Sequence, residues 1–517
     1  MAAAGSALAL LAALAAPLPA AGQQIAPPAE DADLPPPGEI RLRAGPYLQA
    51  WHREFGPGPG GGEAVPLARD WSGPVLERVF PGPELLVEEV NADASALGFE
   101  PLAPGDASLG RLEMRELSAE IRTLAVRLEV GLPWGLSADA MVPLVRTEAE
   151  PFGGFDPTGA TLGSAGRIFE SPVEFFDAVS AARSALQASL DAGEITGAEA
   201  DQARQLLEES GAFAGALQAR VDAAALVPLS GTAAGVQLLE HYQGLRSGFT
   251  SFGLSLPELS LPAEAGQALL DALPGDPLTP VQRGFTVGEP EFGLRLQLHD
   301  GFGPAGPDPG LQLRTAVGVR ARLPLRSGEA SPFVRPDDLL GVPPGDGQRD
   351  LEVSLYQDLR WGSHLSVDAV ARYGLQRADE RTVRVRSPNR PLAPSSSERT
   401  VSFDPGDYLR VRLAPRLVLN RFLSVGGEYR LWSKGDDRYR VLEGEGDAAA
   451  LELETAATRH RAGLGAFYRP DPPEPGASGA GTPELGVVWQ TALAGSGGEV
   501  PAANLFTFHV RIPIHAF

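Results

Sequence analysis

Residues Leu311–Arg326 read LQLRTAVGVRARLPLR. In an extended chain successive side chains point to opposite faces, so Leu311, Leu313, Thr315, Val317, Val319, Ala321, Leu323 and Leu325 share one face. Gln312, Arg314, Arg320, Arg322 and Arg326 share the other. One side is apolar and the other cationic. The same period of two recurs in Phe292, Leu294, Leu296 and Leu298 against Arg295, Gln297 and His299, and in Leu351, Val353 and Leu355 against Glu352, Ser354 and Tyr356. It returns in Leu365–Tyr373, with Asp368 and Arg372 on the polar face, and in Leu409–Leu413, with Arg410 and Arg412. Leu124–Val130, Trp134–Leu144, Leu423–Leu431, Ala462–Tyr468 and Leu485–Trp489 add further candidate strands. A soluble sandwich also alternates. Many long strands, aliphatic on one face and arginine-rich on the other, fit a barrel that turns its apolar face to lipid and its polar face to a lumen.

Loop lengths point the same way. The links Gly131–Gly135, Arg360–Ser363 and Leu419–Phe422 are tight, whereas Ser327–Gln348 and Ser387–Glu398 are long, the asymmetry of an outer-membrane barrel with short periplasmic turns and long external loops. Strand parity, run back from a last strand at about 503–517 that ends in the periplasm, puts every tight turn on the periplasmic side. The expected fold is an all-β transmembrane barrel of about 12 antiparallel strands with an α-helical insert, the first strand being Glu39–Arg53. Gly45-Pro46 interrupts that strand, and 10 or 14 strands are also compatible. Pro143 and Pro324 lack a ladder donor and are placed at the rim or in bulges. Trp134, Trp361, Phe422 and Tyr429 lie near the turns, where an aromatic girdle would sit.

The C-terminal strand carries a parity conflict. Phe506, Phe508, Val510, Ile512 and Ile514 alternate on the parity opposite to the terminal Phe517; a bulge at Pro513 would bring them onto one face, and without it the C-terminal assembly signal is weaker.

Composition narrows the function. The 517 residues hold 43 Lys and Arg against 66 Asp and Glu, a net charge of −23, and no cysteine. This balance argues against nucleic acid as a partner, because phosphate binding needs clustered cations. The absence of cysteine excludes disulfides, zinc thiolates, iron–sulfur clusters and a thiol nucleophile. Residues 1–22 read as a secretory signal: Ala7–Ala16 is a short apolar run, Ala20-Ala21-Gly22 offers small residues for cleavage, and no Lys or Arg precedes Arg41. No later stretch reaches the roughly 18 to 20 apolar residues of a transmembrane helix, so a membrane span would be made of strands.

The pattern GLPWGLSADAMVPLV at 131–145, with GEPEFGLRLQL at 288–298 and VGVRARLPL at 317–325, resembles the outer-membrane barrels associated with the meta-pathway of phenol degradation. Those barrels are in turn similar to the long-chain fatty-acid transporter type. The resemblance covers about 110–148 and 284–517 and rests on hairpin signatures, so it carries no site residues. It implies passive passage or binding of small, often hydrophobic molecules.

The remaining divisions follow. Residues 23–38 form a Pro-rich N-terminal segment; 39–148 hold strands 1–3 with an irregular external loop at about 54–109; 149–283 form the insert; and 284–517 hold strands 4–12. In the insert the apolar period becomes helical (Phe175, Phe176, Val179, Ala182, Leu186, Leu190), and 6 Arg stand against 17 Asp and Glu, a balance of −11. Parity makes it external. Inward Arg295, Arg314, Arg320, Arg322, Arg372, Arg410 and Arg412 outnumber inward Glu352, Asp358, Asp368 and Glu428. The insert could cap the mouth, fold into the lumen or stand clear as a small helical subdomain; desolvated arginines need anionic partners, which an acidic plug or an anionic solute would supply, and neighbouring carboxylates and water would serve equally well.

Catalytic and metal readings are weaker. His364, Ser366 and Asp368 share a face but stand about 7 Å apart along a strand, too far for a relay. The seven histidines are scattered, and Glu240-His241 reads as a surface polar pair. Asp436, Asp437, Glu443, Glu445 and Asp447 lack calcium-loop spacing, and 56–62 (GPGPGGG) reads as a flexible loop. No catalytic residue, metal or cofactor is expected. The leading function is a channel for small, hydrophobic or anionic solutes in the bacterial outer membrane, with those seven arginines setting selectivity. Its partners would be membrane lipid, lipopolysaccharide, the barrel assembly machinery through the C-terminal strand, and the solute. Two rivals stand beside it: a barrel-anchored surface protein whose insert binds a partner, and a soluble periplasmic or secreted all-β protein.

Overall fold

The computed structural model describes residues 30–56, 62–69, 72–74, 83–169, 171–222, 225–264, 280–302, 310–324, 349–385, 398–443, 448–470, 483–497 and 500–515. The chain forms two compact units: residues 1–70, 114–152 and 277–517, and residues 71–113 and 153–276. The expected signal, the long links at 327–348 and 387–397, Glu445, Asp447, and Phe517 lie outside the described residues.

The first unit is a closed antiparallel barrel of twelve strands. These are β1 (Glu39–Trp51), β2 (Arg111–Leu132), β3 (Leu136–Asp156), β4 (Glu291–Asp300), β5 (Leu311–Arg322), β6 (Asp350–Trp361), β7 (Leu365–Gln376), β8 (Tyr408–Val418), β9 (Leu423–Lys434), β10 (Ala457–Tyr468), β11 (Glu484–Gly497) and β12 (Asn504–His515). Each strand pairs with its neighbours in sequence, and β1 closes the ring against β12. The Gly45-Pro46 step does not end β1. Its pairing with β2 runs on through Gly45–Ala125 and Pro46–Leu124, while the pairing with β12 steps from Ala44–Val510 to Tyr47–Thr507, as expected where proline removes a donor.

Alternation decides which residues face out. Leu294, Leu313, Val319, Val353, Leu409 and Leu464 are exposed, whereas Arg295, Arg320, Arg322 and Arg372 are buried inside the barrel. An aliphatic belt this continuous is stable against hydrocarbon rather than water; the unit is a membrane barrel, and its place is the bacterial outer membrane. Three connections are tight, at residues 133–135, 362–364 and 419–422, and all lie at one end of the barrel. Pro143 lies in the register step of β3 between its Met141–Glu291 pairing and its Leu144–Val287 pairing, and Pro324 lies past the end of β5.

No bulge occurs at Pro513. Arg43–Arg511, Leu42–Ile512, Arg41–Pro513 and Ile40–Ile514 keep one register. The side chain of proline fits here without a slip because the missing N–H disturbs the ladder less than a register change, which would turn every later side chain to the wrong face.

At the end opposite the tight turns, Asp379–Arg384, Glu398–Asp404 and Arg438–Glu443 form a separate three-stranded sheet over Val383, Val401, Phe403, Tyr439 and Leu451.

The second unit is mainly helical, with α1 (Pro172–Asp191), α2 (Ala198–Asp222) and α3 (Ala233–Ser251). Phe175, Phe213, Leu217, Leu238, Tyr242 and Phe249 are buried, and the Phe213 and Tyr242 rings stack with centroids 5.2 Å apart. The stretch 54–109 is not simply irregular: Pro83–Asn91 and Ala94–Leu97 are helical. Buried Arg220 of α2 ties them in, donating to the carbonyls of Glu89 (2.7 Å) and Val90 (3.0 Å) and pairing with Asp93 (3.0 Å). His241 is no surface polar pair with Glu240, because its ring packs on Gly98 and lies 5.8 Å from Phe213.

Candidate functional site

The lumen is a packed ionic interior. A barrel strand sends every second residue inward, and here those positions are charged: Arg41, Arg43, Arg127, Glu129, Asp139, Glu291, Arg295, Arg320, Arg322, Glu352, Arg372, Glu428, Arg459 and Arg461 are all buried. Removing so many charges from water is tolerable only where each finds partners. Many pair across neighbouring strands. Glu129 receives Arg43 (3.0 Å) and Arg295 (3.1 Å); Asp350 receives Arg322 (2.6 Å); Glu428 receives Arg412 (3.0 Å) and Arg430; Asp368 receives Arg416 (3.2 Å).

The other partners come from residues 30–38, which enter the barrel at the end bearing the tight turns. Glu30 is buried and its carboxylate meets Arg127, Arg372 and Arg320, the last at 3.1 Å. Asp31 pairs with Arg43 (3.3 Å) and Arg511 (3.0 Å). Asp33 pairs with Arg41 (2.9 Å), Arg314 (2.6 Å) and Arg511. Burial alone would raise both aspartate pKa values, but the surrounding guanidiniums overcome it and hold both carboxyls below the usual range.

The backbone of the segment is satisfied by the same wall. Arg412 donates to the Glu30 carbonyl (3.0 Å), Arg295 to that of Asp31 (3.4 Å) and Arg41 to that of Asp33 (2.9 Å). The Ala32 N–H donates to both Asp358 oxygens at 3.0 Å, and Ala32 sits among Ala316, Tyr356 and Val370. Non-helical backbone at membrane depth needs this kind of matching. Where the segment crosses the rim, Pro35 and Pro36 lie against Gly131, and a Cβ there would collide with the Pro36 carbonyl.

All seven sequence-predicted arginines face this interior. Among the described residues, Arg295, Arg314, Arg320, Arg372 and Arg412 contact Glu30, Asp31 or Asp33, while Arg322 and Arg410 pair with strand carboxylates. Four further arginines that were not among the expected lumen residues, Arg41, Arg43, Arg127 and Arg511, hold the segment as well. Their alternation in β1, β2 and β12 was the available signal.

Two spaces flank the segment. On the side of the tight turns, Asp31, Asp33, Arg314, Asp358, Arg416 and Arg511 line a polar vestibule of about 390 Å³. On the other side of Glu30, a cavity of about 80 Å³ is lined by Arg372, Arg410, Arg412, Arg430, Arg459 and Arg461, with Tyr47, Gln49 and Trp432. Phe55, Tyr408, Trp432 and Val500 cluster at that end of the barrel.

The remaining candidates have structural partners. His364 Nδ1 lies 2.8 Å from Ser363 Oγ, not Ser366, and Asp368 is taken by Arg416. Asp437 is buried against Lys434 and accepts the Gly406 N–H (2.9 Å); burial pushes its carboxyl up to about 6, with Lys434 opposing.

No family model and no characterised protein matches the sequence. Solved structures do resemble it in fold. An outer membrane channel from Pseudomonas putida F1 is 8% identical with a TM-score of 0.41, covering 94% of this chain and 98% of its own. A FadL homologue from Pseudomonas aeruginosa is 9% identical (TM-score 0.28, 93% and 90% covered), and the translocator domain of the autotransporter NalP from Neisseria meningitidis is 8% identical (TM-score 0.26, 92% and 88% covered).

Proposed function

We propose that this barrel is an outer-membrane channel for small solutes whose lumen is closed by its own N-terminal segment. The single observation that carries the reading is the docking of Glu30, Asp31 and Asp33 on a ring of inward arginines contributed by β1, β2, β5, β7 and β12. An anchor needs only an outer belt and a filled core. Here the filling is instead a separate strip of chain, held by ion pairs that water and salt can replace. The tight-turn end is assigned to the periplasm, so the segment enters from there, and the arginine wall selects anionic over cationic solutes once it is exposed. Lipid and lipopolysaccharide surround the belt, and the C-terminal strand is the element offered to the assembly machinery.

Planar-bilayer recording of the purified protein tests this. Deletion of residues 30–38 is expected to turn a closed or barely conducting barrel into a resolvable, anion-selective pore. Equal conductance of both forms, or cation selectivity after deletion, would overturn it. The compact helical unit, with its own aromatic core, supports a second reading in which that unit binds a partner; removing it would then abolish function while conductance stayed unchanged.

A further inference from the structure

The charge inside the barrel is not evenly balanced along its axis. Below Glu30 every aspartate of the N-terminal segment is matched. Beyond it, six arginines line the 80 Å³ cavity, and Glu30 is the one acidic residue of the lining. Glu352 and Glu428 stand behind this wall, but Glu428 is committed to Arg412 and Arg430, and Glu352 is shared by Arg410 (3.5 Å), Arg372 and Arg320 (both 3.9 Å) while accepting the Tyr408 hydroxyl. Arg459 and Arg461 are 4% and 5% exposed, and among the described residues neither has a carboxylate within 4 Å. Among the described residues Arg461 donates to the side-chain oxygen Oε1 of Gln49 (3.2 Å), and Arg459 lies over the Trp432 ring at 5.5 Å.

The donors around them are unused. Arg461 Nε, Arg410 Nε and Nη2, the Gln49 amide nitrogen and Trp432 Nε1 are buried without an acceptor. Buried cations and donors left this way are costly, and an anion with several acceptor oxygens would answer all of them at once. The guanidinium fork matches a planar or tetrahedral oxyanion bidentately. The cavity is smaller than one that holds a benzene ring, which restricts the ligand to a small one.

We propose that this cavity is a binding site for a small oxyanion, a short carboxylate or inorganic phosphate or sulfate, held chiefly by Arg459 and Arg461 with Arg410 and Gln49. The inference rests on the channel reading for its purpose, since an anion leaving the outer side of the plug would pause here, but the site itself does not require conduction.

The test is isothermal titration of acetate, phosphate and sulfate, each separately, into the detergent-purified full chain, with the far-UV spectrum and heat-modifiable gel migration as folding controls. Saturable binding near one equivalent is expected for at least one of the three, and which one identifies the carboxylate or the inorganic source. In Arg459→Gln/Arg461→Gln affinity should fall at least about tenfold, while Arg204→Gln, an exposed site in the helical unit, should leave it unchanged. If the double glutamine variant does not fold, Arg459→Lys/Arg461→Lys keeps the charge and loses the fork, and should bind more weakly than the unaltered protein. No saturable binding of any of the three anions, or equal affinity in the folded variants, would overturn the site. Pore opening on deletion of residues 30–38 without any anion binding would sink this inference and spare the channel reading.

Discussion

Glu30→Gln is the sharpest perturbation of the plug, because it keeps the shape of the side chain and removes only its charge. The carboxylate is fully enclosed and shared by Arg127, Arg320 and Arg372. Removing one partner from a buried ionic cluster costs about 3–5 kcal/mol, chiefly because the remaining charge stays desolvated. That cost falls on the docked state alone, since an undocked segment leaves Glu30 in water. The ratio of docked to undocked segment should therefore drop by roughly two to three and a half orders of magnitude. The amide of Ala32, which donates to Asp358 inside the barrel, reports this directly: its hydrogen-exchange protection should fall by the same factor in Glu30→Gln and not in Glu194→Gln, an exposed control. Single-channel recording should show openings in the first variant at a frequency that rises with salt. Unchanged Ala32 protection, together with a closed barrel, would refute the claim that the ion pairs hold the segment in place.

Other outcomes follow from the same geometry. Gly131→Val forces a side chain into the Pro36 carbonyl, and limited proteolysis of a folded barrel should then cut the N-terminal segment faster than in the unaltered protein. Phe213→Ala empties a fully buried ring site in the helical unit, costing about 3–5 kcal/mol; the helical circular dichroism signal should melt earlier while barrel gel migration keeps its transition temperature, and a joint shift of both would contradict two separately packed units.

Most of the barrel was legible because a period of two leaves little freedom. Once Leu311–Arg322 is read as a strand with aliphatic and arginine faces, closure fixes which face meets lipid, and loop lengths fix direction. The plug was not legible, for a physical reason. Residues 30–33, EDAD, show no periodicity and sit beside Pro35-Pro36-Pro37, so nothing local marks them as inward; only the position of the arginines in three dimensions does. The need for anions was readable from the inward arginines, and the part that residues 30–33 supply was not. The Pro513 register shows the converse limit. Parity left a bulge at that proline open, and only the unbroken pairing of β12 with β1 closes the question.

The lumen charges also bear on how the proposed channel would open. A barrel of this width filled with aliphatic side chains would be a stable and permanent stopper, and one lined by balanced ion pairs between strands would be nearly as fixed. Here the arginines on the side of the tight turns are completed by the three acids of the N-terminal segment, while those on the other side of Glu30 keep unused donors around Arg459 and Arg461. Segment and solute therefore compete for the same chemistry. An anion that occupies the outer arginines draws on the field that holds Glu30, since Arg372 and Arg412 touch both the cavity and the plug. Saturating the outer cavity should accordingly weaken docking of the segment, and Ala32 exchange measured with and without the bound anion reads that coupling. Protection that is insensitive to a saturating anion would mean that the two halves of the lumen act independently.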